Sequence, residues 1–226
     1  MTPSLFITAT DTGVGKTFVG SLLAEALLES GKTVGVLKPF SAGDREDAKT
    51  LARAAGRPGA WKDATLLYCP RPLAPGAQLG LGSQGKKTVQ KVFTKSVAAL
   101  KDLQKNNDTV LVEGLGGILA PLGGPYFVLD LMVRLDLPVW IIARAGLGTL
   151  NHTLLTVEAM KTRGILPRRI LLNNHTGRDE SERSNAAMIR GLTDLPVTEI
   201  PRVTTPAQRK EAQQRLRKAF REDFYA

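Results

Sequence analysis

Short apolar runs and longer stretches of mixed apolar and polar residues follow one another along the whole chain. Runs without polar interruption are typical of strands buried on both faces, and apolar residues three or four positions apart are typical of helices packed on one face. The predicted strands lie at 5–9, 33–38, 65–68, 109–113, 139–143 and 169–173. The predicted helices lie at 17–30, 46–55, 88–103, 127–135, 150–163 and 208–223.

Strands and helices therefore alternate, which predicts a single α/β domain over residues 1–226. Such alternation builds a mostly parallel sheet with helices on both faces. Three of the helices are followed by glycines that stop a helix easily, namely Gly31, Gly56 and Gly164. Residues 57–85 are rich in glycine and proline and are predicted to form an irregular loop around the brief strand within them.

The first strand runs into a glycine-containing turn that opens the first helix. Gly13 and Gly15 let the backbone wrap closely around an anion, and free N–H groups at a helix N-terminus point toward it. Lys16 can then bridge the outer phosphates of a nucleotide, and the Thr17 hydroxyl can bind Mg²⁺. The usual pattern has glycine where this chain has Thr10, so the loop is a variant form, and an incidental glycine turn is the alternative.

Charged side chains stand at or just beyond the ends of two other strands. Glu113 ends its strand and precedes glycines, and Asp47 follows the strand at 33–38, so both are candidate Mg²⁺ ligands. Lys38 ends its strand, where a buried cation is costly unless it meets an anion. Each has a structural alternative: Glu113 can cap the glycine loop, Asp47 can satisfy a helix dipole, and Lys38 can extend to solvent.

The composition is typical of a globular protein, with 42% hydrophobic residues and one cysteine, Cys69. No segment has the character of a leader or a membrane span, and one cysteine cannot form an internal disulfide, so we expect a cytoplasmic protein without a membrane partner. The net charge of +10 raises the question of nucleic-acid binding. The basic residues are spread through amphipathic helices that also carry acids, with no aromatic stripe to stack bases, so no nucleic-acid partner is expected.

Four motifs in their order and spacing resemble the dethiobiotin synthetase family. They are the phosphate loop at 10–17, Lys38-Pro39 with Gly43, the glutamate-glycine turn at 113–117, and the segment at 147–156 that reads Leu-Gly-Thr-Leu-Asn-His-Thr-Leu-Leu-Thr. The resemblance extends from residue 8 to residue 201, most of the chain. It implies a P-loop NTPase fold and a homodimer whose substrate site is shared across the interface.

The resemblance also implies a reaction, ATP- and Mg²⁺-dependent ring closure in biotin synthesis. In that family, CO₂ (or bicarbonate) and 7,8-diaminononanoate give a carbamate, which attacks the γ-phosphate of ATP to form a carbamic-phosphoric anhydride. The second amine then closes the cyclic urea of dethiobiotin, and ADP and phosphate are released. The implied catalytic residues are Lys16, Lys38 and Thr12, and the implied Mg²⁺ ligands are Thr17, Asp47 and Glu113.

Two further sets of contacts follow from the resemblance. The implied nucleotide contacts are Gly13, Val14, Gly15, Lys16, Thr17, Phe18, Glu113 and Asn173, the last at the adenine-contacting position. The implied substrate contacts are Thr12, Lys38, Ser41, Gly148, Thr149, Leu150 and Asn151. The segment at 73–76 corresponds to a wall of the substrate site, and it lacks the histidine that the family often has there.

Two other classes of ATP-dependent protein share the plan of strand, loop and helix. Switch ATPases of the MinD and ParA kind carry an extra lysine early in the phosphate loop, where this chain has Asp11. Amide-forming domains of the cobyrinate synthase type need a glutaminase partner with a reactive cysteine, and Cys69 lies in a proline-flanked loop without a nucleophile motif. We therefore favour the cyclo-ligase and keep these two classes as alternatives.

Overall fold

The computed structural model describes residues 2–225. Its strands, in chain order, are β1 Ser4–Ala9, β2 Val34–Leu37, β3 Phe40–Ala42, β4 Leu67–Cys69, β5 Thr109–Glu113, β6 Pro121–Gly123, β7 Tyr126–Phe127, β8 Val139–Arg144, β9 Arg169–His175 and β10 Val197–Pro201. Its helices are α1 Lys16–Glu29, α2 Glu46–Ala54, α3 Trp61–Ala64, α4 Pro75–Leu79, α5 Ser83–Asn106, α6 Val128–Leu135, α7 Thr149–Lys161, α8 Glu180–Thr193 and α9 Pro206–Tyr225.

Six of the strands form one sheet in the order β10-β9-β8-β1-β5-β2, and every neighbouring pair is parallel. The carboxyl ends of these strands therefore lie along one edge, where the loops that leave β1, β2, β5 and β9 emerge. The pairs β3 with β4 and β6 with β7 form two separate small sheets. The predicted fold class, a single α/β domain with a parallel sheet between two helical layers, is confirmed.

Each face of the main sheet has its own hydrophobic core, because side chains alternate along a strand. On β1, Phe6 packs into one core, and Leu5 and Ile7 pack into the other. The first core also takes side chains from α5, α6 and α7, such as Met132, and the second from α1, α2 and α9, such as Phe220. Burial on both faces explains why the strand sequences are continuous apolar runs.

Every predicted strand and helix is present, and most of their ends agree within two residues. The helix predicted at 88–103 is longer, since α5 begins at Ser83. The first turn of α5 packs so closely against the chain before it that a Cβ on Gly85 would lie 2.1 Å from the Gly80 carbonyl oxygen. This turn therefore depends on close backbone packing, which apolar periodicity does not reveal. The irregular loop predicted at 57–85 is wrong in part, because the segment contains the short helices α3 and α4, which tertiary contacts stabilise.

Besides α3 and α4, five elements were not predicted: β3, β6, β7, α8 and β10. The buried side of α8 is half polar, since Glu182 and Asn185 are buried together with Ala186 and Ile189. A stripe of this kind has no clear apolar period, so α8 could not be recognised from the pattern. The strand β10 lies at the edge of the sheet and is only partly buried, which also weakens its pattern.

The basic C-terminal helix α9 is anchored to the sheet by ion pairs. The Arg169 guanidinium on β9 donates to Asp223 at 2.8 Å, and the Trp140 indole donates to the same carboxylate at 2.7 Å. Near the other end of α9, Arg209 lies 2.5 Å from Glu25 on α1. These contacts give part of the basic helix a structural role. Within residues 2–225, no helix is long and apolar enough to cross a membrane.

Candidate nucleotide and metal site

The turn between β1 and α1 has the backbone that anion binding needs. Gly13 and Gly15 have φ angles of 75° and 100°, a conformation that favours glycine, and Gly15 is the N-cap of α1. A Cβ on Gly15 would lie 2.2 Å from Nδ2 of Asn173, so this position also has no room for a side chain. The free N–H groups at the start of α1 therefore remain accessible to a phosphate.

Lys16, the first residue of α1, is almost wholly buried. Its ammonium donates to the carbonyl oxygens of Asp11, at 3.2 Å, and Gly116, at 2.8 Å. Gly116 belongs to the glycine turn after β5 and has a φ angle of 59°, so the turn that presents this carbonyl needs glycine. Burial lowers the pKa of Lys16 to about 8, a shift that the nearby Glu113 carboxylate partly opposes.

Lys38 follows β2 directly and meets two carboxylates. Its Nζ lies 2.5 Å from Glu113 Oε1 and 3.1 Å from Asp47 Oδ2. The Thr17 hydroxyl donates to the same Glu113 oxygen at 2.8 Å. Lys38 and Glu113 are 2% and 1% exposed, whereas 52% of the Asp47 side chain is exposed. The structure thus brings together the strand-end charges found in the sequence, and the buried cation has the anionic partners that it needs.

The charges of this cluster stabilise one another. Burial by itself lowers the pKa of Lys38, but the attraction of Glu113 and Asp47 is larger and raises that pKa above its ordinary value. Burial likewise favours a higher pKa for Asp47, but the charge and hydrogen bond of Lys38 hold it below its ordinary value. At neutral pH the Lys38 ammonium and the Asp47 carboxylate are therefore both charged.

Thr17, Asp47 and Glu113 are the three side chains predicted to bind Mg²⁺, and they lie around one point. Their oxygens are linked through Lys38 Nζ and the Thr17 hydroxyl. The Oε2 atom of Glu113 is buried and has no hydrogen-bond partner within residues 2–225. In that range, no three His, Cys, Asp or Glu side chains are grouped to hold a metal ion. Two carboxylates and a hydroxyl fit Mg²⁺, which binds few protein oxygens and keeps water and phosphate ligands.

Two cavities open beside the phosphate loop, and both are lined by Gly13, Gly15 and Phe18. The larger, of about 810 Å³, extends toward the ends of β9 and β10 and includes Asn173. The smaller, of about 480 Å³, extends toward β2 and α2. Its further lining includes Thr12, Lys16, Thr17, Lys38, Asp47, Pro72, Leu73 and Ala74. One ligand can therefore lie across the loop, with a base on one side and phosphates on the other.

Asn173 stands at the larger cavity with its amide oriented by the phosphate loop. Its Nδ2 donates to the Val14 carbonyl at 2.9 Å, and the residue is 7% exposed. Its Oδ1 is buried and has no hydrogen-bond partner in the described part of the chain. A buried acceptor without a partner is costly, so a turn of this side chain that lets a ligand donate to Oδ1 is favoured.

Comparison with known proteins identifies the family. A family model described as an AAA domain matches residues 3–206. A protein named ATP-dependent dethiobiotin synthetase BioD, from Endomicrobium trichonymphae, is 41% identical over 203 residues, which cover 88% of this chain and 93% of that protein. This chain belongs to the ATP-dependent dethiobiotin synthetase family. A second synthetase of that name, from Aquifex aeolicus, is 38% identical over 202 residues, covering 88% and 89% of the two chains. The resemblance based on the four motifs is confirmed.

Solved structures of other proteins share the fold of this synthetase family member. Cobyrinic acid a,c-diamide synthase from Mycobacterium smegmatis superimposes with a TM-score of 0.64 at 16% identity, covering 100% of this chain and 96% of that one. The septum site-determining protein MinD from Pyrococcus horikoshii superimposes with a TM-score of 0.62 at 17% identity, covering 100% and 97%. At such low identity these likenesses concern the fold alone.

Some residues assigned through the dethiobiotin synthetase resemblance lie outside both cavities. Ser41 is buried, and its hydroxyl donates to the Asp44 carbonyl at 2.9 Å. The turn from Gly148 to Asn151 opens α7, where Gly148 has a φ angle of 87° and Asn151 is exposed. Neither Ser41 nor this turn lines the cavity that contains Lys38. Their substrate-binding roles stay predictions.

The structure adds residues to the larger cavity that sequence reasoning missed. The segment at 201–204, which begins at the last residue of β10, lines the cavity. Glu182 on α8 also lines it and accepts hydrogen bonds from the backbone N–H groups of Thr176 and Gly177 at 3.0 and 2.7 Å. Both belong to elements that were not predicted. The acidic first turn of α8, after Asp179 as N-cap, is the signal that could have revealed that helix.

Proposed function

We propose that this protein forms dethiobiotin from 7,8-diaminononanoate, CO₂ and ATP. The observation that carries the proposal is the convergence of Lys16, Lys38 and Thr17 on one cavity beside the phosphate loop, with Glu113 bonded to two of them. In the proposed reaction a carbamate attacks a phosphoryl group. Both are anions, so two buried ammonium groups suit their encounter. The names of the relatives, ATP-dependent dethiobiotin synthetase, support the same reaction.

The proposed reaction has three steps. One amine of the substrate adds to CO₂ and loses a proton, which gives a carbamate. A carbamate oxygen then bonds to the γ-phosphorus of ATP while the bond from that phosphorus to the bridging oxygen breaks, and ADP leaves. The second amine attacks the carbonyl carbon, phosphate leaves with the electron pair of the C–O bond, and the amine loses its proton. The protein contributes position and charge neutralisation in these steps.

The residues of the smaller cavity have separate roles in this scheme. Lys16 neutralises the outer phosphates, and Lys38 neutralises the carbamate and the transferring phosphoryl group. Thr12 also lines this cavity and donates a hydrogen bond to the substrate. When bound to Thr17, Asp47 and Glu113, Mg²⁺ would supply further positive charge to the phosphate oxygens. Glu113 also orients Lys38, since their 2.5 Å ion pair is buried.

The larger cavity is proposed to hold the base and ribose of ATP. Once the Asn173 side chain turns toward the cavity, the exocyclic amine of adenine can donate to its Oδ1, which has no partner within residues 2–225. A guanine would present a carbonyl oxygen to this acceptor and leave both atoms unsatisfied, so the pocket favours ATP over GTP. The N–H groups at the start of α1 bind the phosphates in the same pose.

Proton uptake on ATP binding is a first expected result. Lys16 titrates at about 8 in the unliganded protein, and phosphate oxygens favour its charged form. At pH 9, binding should therefore take up about 0.9 proton per site, and at pH 7 Lys16 should contribute about 0.1. Above pH 8 the ATP affinity should decrease with pH, and the decrease should approach tenfold per pH unit. Calorimetry in two buffers of different ionisation enthalpy, without divalent metal, measures the uptake.

The Lys16→Met variant is the control for this result and should lose the uptake at pH 9. Uptake that is the same in both proteins would contradict the assignment.

The lowered pKa of Lys16 also affects the stability of the protein without ligand. Between pH 8 and 10.5 the unfolded chain binds more protons than the folded one, so the free energy of unfolding contributed by Lys16 should rise with pH in that window.

The substrate carboxylate is proposed to bind the Gly148 to Asn151 turn of a second copy of the chain. This turn opens α7, and its free N–H groups suit a carboxylate. The neighbouring side chains Leu147 and Leu155 are 83% and 62% exposed, an apolar surface that a dimer would cover. The site would then be completed by two subunits.

Mixed dimers test this sharing of the site. Lys16→Ala and Asn151→Ala chains should each be impaired alone. After dissociation and reassociation as an equal mixture, half of the dimers are mixed, and each mixed dimer has one intact site. Dethiobiotin formation should recover to about one quarter of the wild-type rate. Recovery that is absent, although mass spectrometry detects mixed dimers, would place both residues in one subunit's site.

The experiment that tests the function is phosphate release from ATP with Mg²⁺ and bicarbonate, with and without diaminononanoate, followed by product mass. We expect release to depend on the diamine and to yield one cyclic urea per phosphate. ATP turnover that is indifferent to the diamine would contradict the proposal. A response to a protein partner would instead favour a switch ATPase, and a requirement for glutamine would favour an amide-forming enzyme.

A further inference from the structure

The backbone that delivers Asp47 to the site is the loop at 43–45, which joins β3 to α2. Two hydroxyl groups hold its carbonyl oxygens. Tyr68 Oη donates to the Gly43 carbonyl at 2.7 Å, and Ser41 Oγ donates to the Asp44 carbonyl at 2.9 Å. Gly43 has a φ angle of 84°, and its N–H donates to the Cys69 carbonyl at 2.9 Å. The loop is therefore tied to β4 through both the N–H and the carbonyl of Gly43.

Tyr68 is itself fixed on two sides. Its backbone is paired with Ser41 in the β3–β4 ladder. The Arg45 guanidinium, which comes from the loop, lies 4.0 Å from the centroid of the Tyr68 ring and 5.6 Å from that of Trp61. A cation at this distance from an aromatic face is attracted to it. The loop thus rests on the ring whose hydroxyl holds its carbonyl.

Asp47 depends on this loop for its position. Its carboxylate is half-exposed and reaches the buried part of the site at Lys38, 3.1 Å away. The helix α2 that carries it has no side-chain hydrogen bond at its N-cap, Arg45. The Asp44 carboxylate instead accepts from the Glu46 N–H at 3.1 Å, and the hydroxyls of Tyr68 and Ser41 hold the loop carbonyls that lead into the first turn of α2.

We propose that Tyr68 is a positioning residue that sets the Asp47 carboxylate for a divalent cation by holding the Gly43 carbonyl. The inference rests on the proposed function, in which Asp47 is a ligand of Mg²⁺. It extends that function, because Tyr68 lies outside both cavities beside the phosphate loop and touches no proposed ligand. Its effect must therefore pass through the 43–45 loop.

Tyr68→Phe tests the inference, since it removes the hydroxyl and keeps the ring under Arg45. The probe is Mn²⁺ in the presence of ADP, and its binding is followed by electron paramagnetic resonance of the free ion. We expect the Mn²⁺ dissociation constant to rise about fivefold, as for loss of one hydrogen bond. The affinity for ADP without metal should stay at the wild-type value, because the phosphate loop is untouched.

Three comparisons make the result specific. Tyr126→Phe is the matched control, since it also removes a tyrosine hydroxyl. That hydroxyl accepts a hydrogen bond from Gln90 at 3.0 Å, and both residues are far from α2 in the sequence. This variant should leave Mn²⁺ binding unchanged. Asp47→Asn should weaken Mn²⁺ binding more than Tyr68→Phe does. The double variant of Asp47 and Tyr68 should bind Mn²⁺ no more weakly than Asp47→Asn alone, because Tyr68 acts through that carboxylate.

The outcomes separate the inference from the function on which it rests. If Asp47→Asn weakens Mn²⁺ binding and Tyr68→Phe does not, the positioning role is wrong and the metal role of Asp47 stands. A further loss in the double variant, or an equal loss in Tyr126→Phe, would likewise overturn the positioning role. If Asp47→Asn binds Mn²⁺ as the wild type does, the proposed metal ligand itself is wrong, and the inference falls with it.

Discussion

The Glu113→Gln variant is expected to lose about 3 kcal/mol of unfolding free energy and most of its activity. Glu113 and Lys38 are 1% and 2% exposed, and their charged atoms lie 2.5 Å apart. Removing one charge of a buried pair leaves the other without compensation, which typically costs about 3–5 kcal/mol. The lower value is expected because Asp47, at 3.1 Å, still neutralises part of the lysine charge. Urea denaturation at pH 7 measures the stability.

Turnover in the same variant should fall about 100-fold, because the charge of a proposed metal ligand and the orientation of Lys38 are lost together. The control is the double variant Lys38→Met with Glu113→Gln, which has neither buried charge. It should regain most of the lost stability and none of the activity. If Glu113→Gln is as stable as the wild type, the buried ion pair of Lys38 and Glu113 does not exist in solution.

The Lys16→Ala variant is expected to lower kcat/KM for ATP about 1,000-fold while leaving the fold intact. Its ammonium is the proposed partner of the transferring phosphate, and one well-placed donor of this kind is typically worth about 100-fold to 1,000-fold in rate. Stability should not fall, because burial of this lysine is unfavourable, as its pKa of about 8 indicates. Steady-state kinetics with saturating diamine and thermal unfolding measure the two effects.

Lys95→Ala is the control for the Lys16 variant. Lys95 is an exposed lysine on α5, and it is far from the phosphate loop in the sequence. Its replacement removes one positive charge from the protein surface. It should change kcat/KM less than twofold in ordinary buffer, since surface charges are screened by salt. A similar loss in both variants would show that net charge, and not the position of Lys16, determines the rate.

Much of the fold could be predicted from the pattern of apolar and polar residues alone. The strand predicted at 109–113 matches β5, because a strand buried on both faces is a continuous apolar run that few other structures produce. The helix α8 was missed because buried Glu182 and Asn185 interrupt its apolar face. The reason for their burial lies in other elements: Asn185 donates to the Ala145 carbonyl at 2.7 Å, and Glu182 accepts from the turn after β9. Such partners are invisible in the local sequence.

In the candidate site too, local features could be predicted from the sequence and contacts between distant residues could not. The phosphate loop could be predicted because it is local, since its glycines, lysine and threonine occupy consecutive positions whose backbone needs are known. The contact of Lys38 with Glu113 joins residues 75 positions apart, and only the pairing of β2 with β5 brings their strand ends together. The role inferred for Tyr68 is less accessible still, because it depends on a β3–β4 pair that was only half predicted.

The sequence by itself determined the alternation of strands and helices, the phosphate loop, and the family to which the chain belongs. These properties reside in short segments, where residue type and spacing act directly on the backbone. Only the tertiary structure decided that Lys38 is neutralised by Glu113 and Asp47, that Asn173 is oriented by the phosphate loop, and that Tyr68 holds the loop before α2. Each of these depends on the distance between residues far apart in the chain, and that distance is set by the order and register of strands in the sheets.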